Sequence, residues 1–121
     1  MSVGTRLVAA IAERDAGALA GCFTAEAELP ALIPPGLRER SGQSDAAALI
    51  AGWFADATEL ELLDSDVTDV GDRLHVWYRF GGIENGEPFV VEQQLYCTVE
   101  SDAIARANLL CSGFRPSDRA L

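Results

Sequence analysis

The sequence has no lysine. All nine of its basic residues are arginine, set against nineteen acidic ones, for a formal net charge of −10. Arginine-only usage reads as codon bias in a GC-rich genome. The charge argues against nucleic acid and against a membrane as partners, because phosphate backbones and anionic lipid surfaces repel such a chain. Histidine occurs once, at His75, and cysteine three times, at Cys22, Cys97 and Cys111, with no C-x-x-C pair. A zinc site needs about four converging nitrogen or sulfur ligands. No metal and no other cofactor is therefore expected, and the thiols read as reduced, buried side chains of a cytoplasmic protein. No apolar run approaches ~18–20 residues, and no basic-then-apolar stretch opens the chain, which predicts neither membrane spanning nor export. Repeats, linkers and low-complexity segments are missing too. Residues 1–121 are expected to form a single domain, with 116–121 a frayed tail.

What the sequence does contain is strands. Residues 73–80 and 89–99 alternate in polarity. Between them, Glu84-Asn85-Gly86-Glu87 carries the Asn-Gly pair that suits both positive-φ positions of a type I′ turn. Glu100-Ser101-Asp102, read as a three-residue turn, leads into 103–114; a two-residue turn would exchange the faces of that last strand. Sorted by parity, one face carries Leu74, Val76, Tyr78, Phe80, Val91, Gln93, Leu95, Cys97 and Val99, joined by Ala105, Ala107, Leu109 and Cys111. The other carries His75, Trp77, Arg79, Val90, Glu92, Gln94, Tyr96 and Thr98, joined by Arg106, Asn108, Leu110 and Ser112.

Helices come first. Ser2 or Thr5 can cap one running to about Arg14, Asp15 caps a second from Ala16 to about Phe23, and Ser44 caps a third over 45–57. Leu49, Ile50, Trp53 and Phe54 form the apolar stripe of the third. Residues 25–33 read as a short extended segment, kept out of any central strand by Pro30, Pro34 and Pro35. Residues 34–42 read as a solvated loop with Arg38, Glu39 and Arg40. A strand over 58–70 is expected to bulge near Leu62 and Leu63, where its parity breaks. The order predicts an α+β fold, with three N-terminal helices packed on a strongly bent antiparallel sheet.

Several strings carry a family likeness. Leu7-Val8-Ala9-Ala10-Ile11-Ala12-Glu13-Arg14-Asp15-Ala16-Gly17-Ala18-Leu19 is similar to a two-helix start with an acidic break. Phe23-Thr24-Ala25-Glu26-Ala27-Glu28-Leu29-Pro30, then Ser41-Gly42 ahead of the helix with Trp53-Phe54, then Ile104-Ala105-Arg106-Ala107-Asn108-Leu109 continue it. Over nearly its whole length the chain resembles the nuclear transport factor 2-like, or SnoaL-like, superfamily, the ketosteroid isomerase-like cone fold. The resemblance implies a conical barrel, or cystatin-like roll, whose helices roof a pocket for a small apolar molecule. It also implies a homodimer through the opposite sheet face, bearing Trp77, Arg79, Glu92 and Tyr96. Family members include ketosteroid isomerases, polyketide cyclases and limonene epoxide hydrolases. The isomerases use an Asp base, with a Tyr and a protonated Asp as the oxyanion hole. The matching positions here are Leu29 (or Ala31 in an alternative register), Leu7, and Leu95 (or Gln94 after a one-residue slip). The usual catalytic acids are thus absent from those positions, and catalytic residues stay unassigned.

Tyr78, Phe80, Val91, Leu95 and Leu109 are expected to line the cone from the sheet, and Leu7, Ile11, Trp53 and Phe54 to close it from the helices. Cys97 and Cys111 lie on the same face. Gln93 is the polar handle: it either orients a ligand carbonyl or bonds to Tyr78 across the strands. On the other face, Arg79 is expected opposite Glu92, Trp77 opposite Gln94 and His75 opposite Tyr96, a composition that suits an interface. Two functions are compatible with this pattern. One is an isomerase- or cyclase-type protein with an apolar ligand pocket that lacks the usual acids; the other is a non-catalytic dimeric module with a filled cone.

Overall fold

The structure is a computed structural model that describes residues 2–118. Ser2 opens α1 (Val3–Glu13) by accepting the Thr5 amide, and Arg14 closes it in the left-handed region at φ 52°. The Arg14 side chain then reaches Ala57 O at 2.6 Å. Asp15 caps α2 (Ala16–Gly21) through the Ala18 amide at 3.0 Å. That helix stops short of Phe23, which already begins β1 (Phe23–Ile33). Helix α3 (Gln43–Phe54) starts after Gly42, and Ser44 is not its cap. Gly42 holds φ 96°, a conformation open to glycine and costly for other residues. The Gln43 amide anchors that end instead, donating to Ala20 O and Phe23 O.

The remaining strands are β2 (Gly36–Ser41), β3 (Ala57–Val70), β4 (Arg73–Glu84), β5 (Glu87–Glu100), β6 (Ala103–Cys111) and β7 (Arg115–Pro116). The sheet runs β2-β1-β6-β5-β4-β3, with β7 added beside β5. Two expectations are corrected here. The stretch 34–42 is an edge strand with its lead-in, not a loop. And β1 is interior, antiparallel to β2 and parallel to β6, so the sheet is mixed and Pro30 stands inside it. A proline removes one ladder donor, and the pairing on both sides carries the strand past that gap.

The 84–87 turn behaves as its sequence dictates, with Asn85 and Gly86 at φ 53° and 77°. The next turn is shorter than expected. Ser101 and Asp102 sit at φ 50° and 62° between the paired Glu100 and Ala103, which makes a two-residue turn. Such a turn would flip the faces of β6, but a bulge flips them back: Val99 pairs with Ile104 while Thr98 pairs with Arg106, leaving Ala105 as the extra residue. Ile104 is therefore buried where Ala105 was expected, Val99 is exposed, and Ala107, Leu109 and Cys111 regain the apolar face. The bulge expected in β3 lies between Leu62 and Asp64.

The core forms where the helices meet that face. Leu7, Ile11, Ile50 and Phe54 pack against buried Val76, Tyr78, Phe80, Val91, Leu95 and Leu109. The outer strand β3 is blunted by exposed Glu59, Glu61, Asp64 and Asp66, which disfavour edge-to-edge pairing. Within 116–121, Pro116 pairs with Phe89 and the Ser117 amide donates to Pro88 O; residues 119–121 lie outside the described residues. The tightest backbone approach is at Gly82, where a Cβ would overlap Glu59 O and the Phe89 ring. Gly82→Ala should lower stability by ~1–3 kcal/mol, as overpacking does. Urea unfolding reads this, and an unchanged midpoint would show that β3 and β4 are not so closely set.

Candidate functional site

Strand pairing places Tyr78 opposite Gln93, and Gln93 opposite Cys111, on the helix-covered face. Their side chains join in one row. The Tyr78 hydroxyl donates to Gln93 Oε1 at 2.5 Å, and Gln93 Nε2 donates to Cys111 Sγ at 3.3 Å. The Gly113 amide donates to the same sulfur at 3.3 Å, so the row reaches the segment that follows β6. Both readings of Gln93 had merit from sequence; in the structure the cross-strand bond to Tyr78 is made. Gln93 is 1% exposed, and among the described residues no carboxylate, imidazole or guanidinium is buried with it. Burial pushes the Tyr78 phenol well above its ordinary range, with the Cys111 and Cys97 thiols adding to the effect. Burial likewise pushes the Cys97 thiol up to about 12. Tyr78 and Cys97 are thus neutral at physiological pH, and Tyr78 stays a donor.

Apolar groups surround the row. Leu95 pairs with Leu109 and Phe80 with Val91, all buried. Of the five positions that match catalytic groups in the isomerases, Leu7, Leu29, Ala31 and Leu95 are fully buried in the same core, and Gln94 is half-buried on the other face, where it bonds to His75. From Tyr78 an aromatic series leads outward, each ring tilted on the next. Tyr78 and Phe80 have centroids 5.6 Å apart, Phe80 and Phe54 5.4 Å, Phe54 and Phe114 5.6 Å, and Phe114 and Phe89 5.1 Å.

Phe114 in that series stands at an opening. A crevice of about 270 Å³ is lined by Ile33, Pro34, Pro35, Trp53, Cys111, Gly113, Phe114 and Arg115. Trp53 also walls an adjoining crevice with Leu49, Arg40 and Asp45. On the helix side, Ile11, Leu19 and Phe54 face a smaller cleft of about 180 Å³ rimmed by Arg14 and Asp15. The structure therefore groups Tyr78, Phe80, Gln93, Leu95, Leu109 and Cys111 in the interior and sets Trp53 at the mouth. Phe54 lies between the mouth and the helix cleft. Sequence reasoning missed Phe114 and the Pro34-Pro35 corner. The one available signal was an aromatic residue directly after Gly113, whose φ of 84° turns the chain across the mouth.

On the sheet face turned away from the helices, Arg79 and Glu92 are 2.8 Å apart and the guanidinium lies 5.2 Å from the Trp77 ring. His75 stacks on Tyr96 at 4.7 Å and shares a 3.1 Å hydrogen bond with Gln94. The expected cross-strand pairs are all present. Register continues this face across the sheet through Leu110, Leu32 and Leu37, which are 47%, 51% and 57% exposed.

The SnoaL-like domain model matches residues 5–107. No curated protein matches the chain in sequence. Among solved structures, a hypothetical protein with a ketosteroid isomerase-like fold from Catenulispora acidiphila, in complex with trimethylamine, superposes with a TM-score of 0.72 at 18% identity, covering 88% of this chain and 82% of that one. A polyketide cyclase candidate from Xanthomonas campestris gives 0.71 at 18% identity, covering 89% and 86%. An isomerase candidate from Rhodopseudomonas palustris gives 0.68 at 15%, covering 93% and 90%. At these identities the likeness is one of fold.

Removing the Tyr78 hydroxyl leaves Gln93 Oε1 without its donor inside an apolar core. Tyr78→Phe should cost ~1–3 kcal/mol, and Tyr78→Phe with Gln93→Leu should cost less than the two single losses added together. A double-mutant cycle by chemical denaturation measures the coupling. Strict additivity would mean that the two groups do not depend on each other.

Proposed function

The chain belongs to the SnoaL-like domain family, and we propose that it binds a small, largely apolar molecule at the mouth of its cone, with Gln93 as the internal polar contact. The observation that carries this reading is the Tyr78–Gln93–Cys111 row, which begins in the core and ends on the wall of the 270 Å³ crevice. Gln93 Nε2 has two protons. One is directed to a thiol sulfur, a weak acceptor. A ligand carbonyl would be a better acceptor than that sulfur, so the row has something to gain by exchanging Cys111 for a ligand oxygen. Affinity would come mainly from apolar burial against Trp53, Phe114 and Ile33, at ~25 cal/mol per Å² before ordering costs.

Chemistry of the isomerase kind needs a base and a charged or strongly polar oxyanion partner. The described interior supplies a phenol, an amide and thiols instead. The proposal is accordingly a binding protein; a cyclase- or isomerase-type reaction would need its acid or base from the substrate or from the rim.

We further propose a homodimer through the face bearing Trp77, Arg79, Glu92 and Tyr96. The exposed run from Leu37 through Leu32 and Leu110 toward Trp77 supports it, because a lone surface leucine is ordinary and a continuous row across neighbouring strands is not.

Matched naphthalene probes test the ligand reading. In thermal melts 2-acetylnaphthalene should raise the Tm more than 2-ethylnaphthalene, and Gln93→Leu should make the two equal while keeping most of the shift. No shift with either probe in the wild type would leave the non-catalytic module with a filled cone. For the assembly, Trp77→Glu should halve the mass seen by light scattering, and a retained dimer with the fold intact would exclude this face.

A further inference from the structure

The described residues include eight arginines, and five of them are held by another segment of the chain. Arg6 bonds Asp102, Arg14 bonds Ala57 O, Arg73 bonds Thr98, Arg79 bonds Glu92 and Arg106 bonds Glu28. The other three are Arg38, Arg40 and Arg115. Among the described residues, Arg38 and Arg40 donate only to the backbone carbonyl of the residue before each, and Arg115 makes no side-chain bond. In a chain with nineteen acidic residues, three guanidiniums with no carboxylate of the described residues within ion-pair distance are unexpected if surface charges simply pair off.

Two of the three line adjoining crevices, and the third, Arg38, stands two residues from Arg40 on the same strand. Arg115 lines the 270 Å³ crevice beside Phe114. Arg40 lines the adjoining one, with Trp53 as the wall common to both. Arg38 lies over Gly36, next to the Pro34-Pro35 corner of the crevice. Pairing explains the two on β2: Arg38 and Arg40 sit opposite Ala31 and Leu29, whose side chains face the core, so both guanidiniums project over the helix-covered side of the sheet. Asp45 is the acidic residue that shares this rim, lining the Arg40 crevice without pairing with Arg40.

We propose that the mouth selects a carboxylic acid: an apolar body seated between Trp53 and Phe114, with its carboxylate held outside by Arg115, Arg38 and Arg40. This rests on the reading of the mouth as a ligand site and adds the ligand's charge. Guanidinium groups match a carboxylate in planar, two-point geometry. A local positive rim on a chain of charge −10 also draws an anion to this place rather than to the rest of the surface. An apolar floor with a cationic rim fits an amphipathic acid better than it fits a neutral hydrocarbon.

The test uses the full chain and two probes of one ring system, 2-naphthoate and 2-acetylnaphthalene, read by calorimetry or by quenching of tryptophan fluorescence. Wild type should bind the acid about tenfold more tightly than the ketone at low salt, and the margin should shrink as sodium chloride is added. The triple variant Arg38→Gln, Arg40→Gln, Arg115→Gln should bind both probes within about twofold of each other, its melting temperature checking that the fold is kept. Arg73→Gln, at the far end of β4 from the mouth, should keep the preference and so exclude a general effect of net charge. Equal or better binding of the ketone by wild type would overturn the charge selection while leaving the mouth as a site. A preference that survives in the triple variant would overturn the assignment to these arginines. Failure of both probes to bind would remove the site itself, and the proposal with it.

Discussion

An amide placed in an apolar core has to be hydrogen-bonded or it costs the fold ~1–3 kcal/mol, and Gln93 is such an amide. The demand it makes is geometric. Its oxygen needs a donor one strand away, which the Asn85-Gly86 turn delivers by setting Tyr78 directly across. Its nitrogen needs an acceptor on the other side, which β6 delivers only because the Ala105 bulge restores parity and turns Cys111 inward. Two turns and one bulge, far from the mouth, thus decide whether the interior row exists. The weakest member is the sulfur, and it is also the member that borders open space. On the proposed reading, a ligand in that crevice competes for the weakest bond of the row.

Charge is divided in a way that agrees with this arrangement. Acids crowd the outer strand β3, where repulsion guards an open sheet edge. The ion pairs Arg6–Asp102, Arg79–Glu92 and Arg106–Glu28 are all partly exposed and contribute little each. The opposite edge strand, β2, carries Arg38 and Arg40 on its inner side, and Arg40 lines the crevice walled by Trp53. The two sheet edges therefore differ in charge, with acids along β3 and two arginines on the inner side of β2.

Alternation and turn chemistry made much of this legible in the sequence. The two faces of 73–80 and 89–99, the register across Asn85-Gly86, the β3 bulge and the Asp15 cap all follow from period and residue type. Errors arose where two effects competed. Pro30 argues locally against an interior strand, and pairing on both flanks prevailed. Ser44 is a better cap by type than Gly42, but the positive φ and the Gln43 anchor decided where α3 begins. A two-residue turn at Ser101-Asp102 would by itself turn Leu109 and Cys111 outward, and the Ala105 bulge, which no local pattern announces, returns them to the apolar face. The mouth was the least legible part. Phe114, the Pro34-Pro35 corner and the inward arginines of β2 come together only through tertiary pairing, and no short-range pattern announces it.

The central claim is that a ligand engages the Gln93 amide. The side-chain amides of Gln43, Gln93 and Gln94, with those of Asn85 and Asn108, each give a pair of signals in a nitrogen–proton NMR spectrum, and single substitutions assign them. Gln43 is bonded to Ala20 O and Phe23 O and serves as an internal reference. On titration with 2-acetylnaphthalene the Gln93 signal should shift in step with saturation while the Gln43 signal stays in place. A Gln93 signal that does not move while the ligand binds elsewhere would contradict the account.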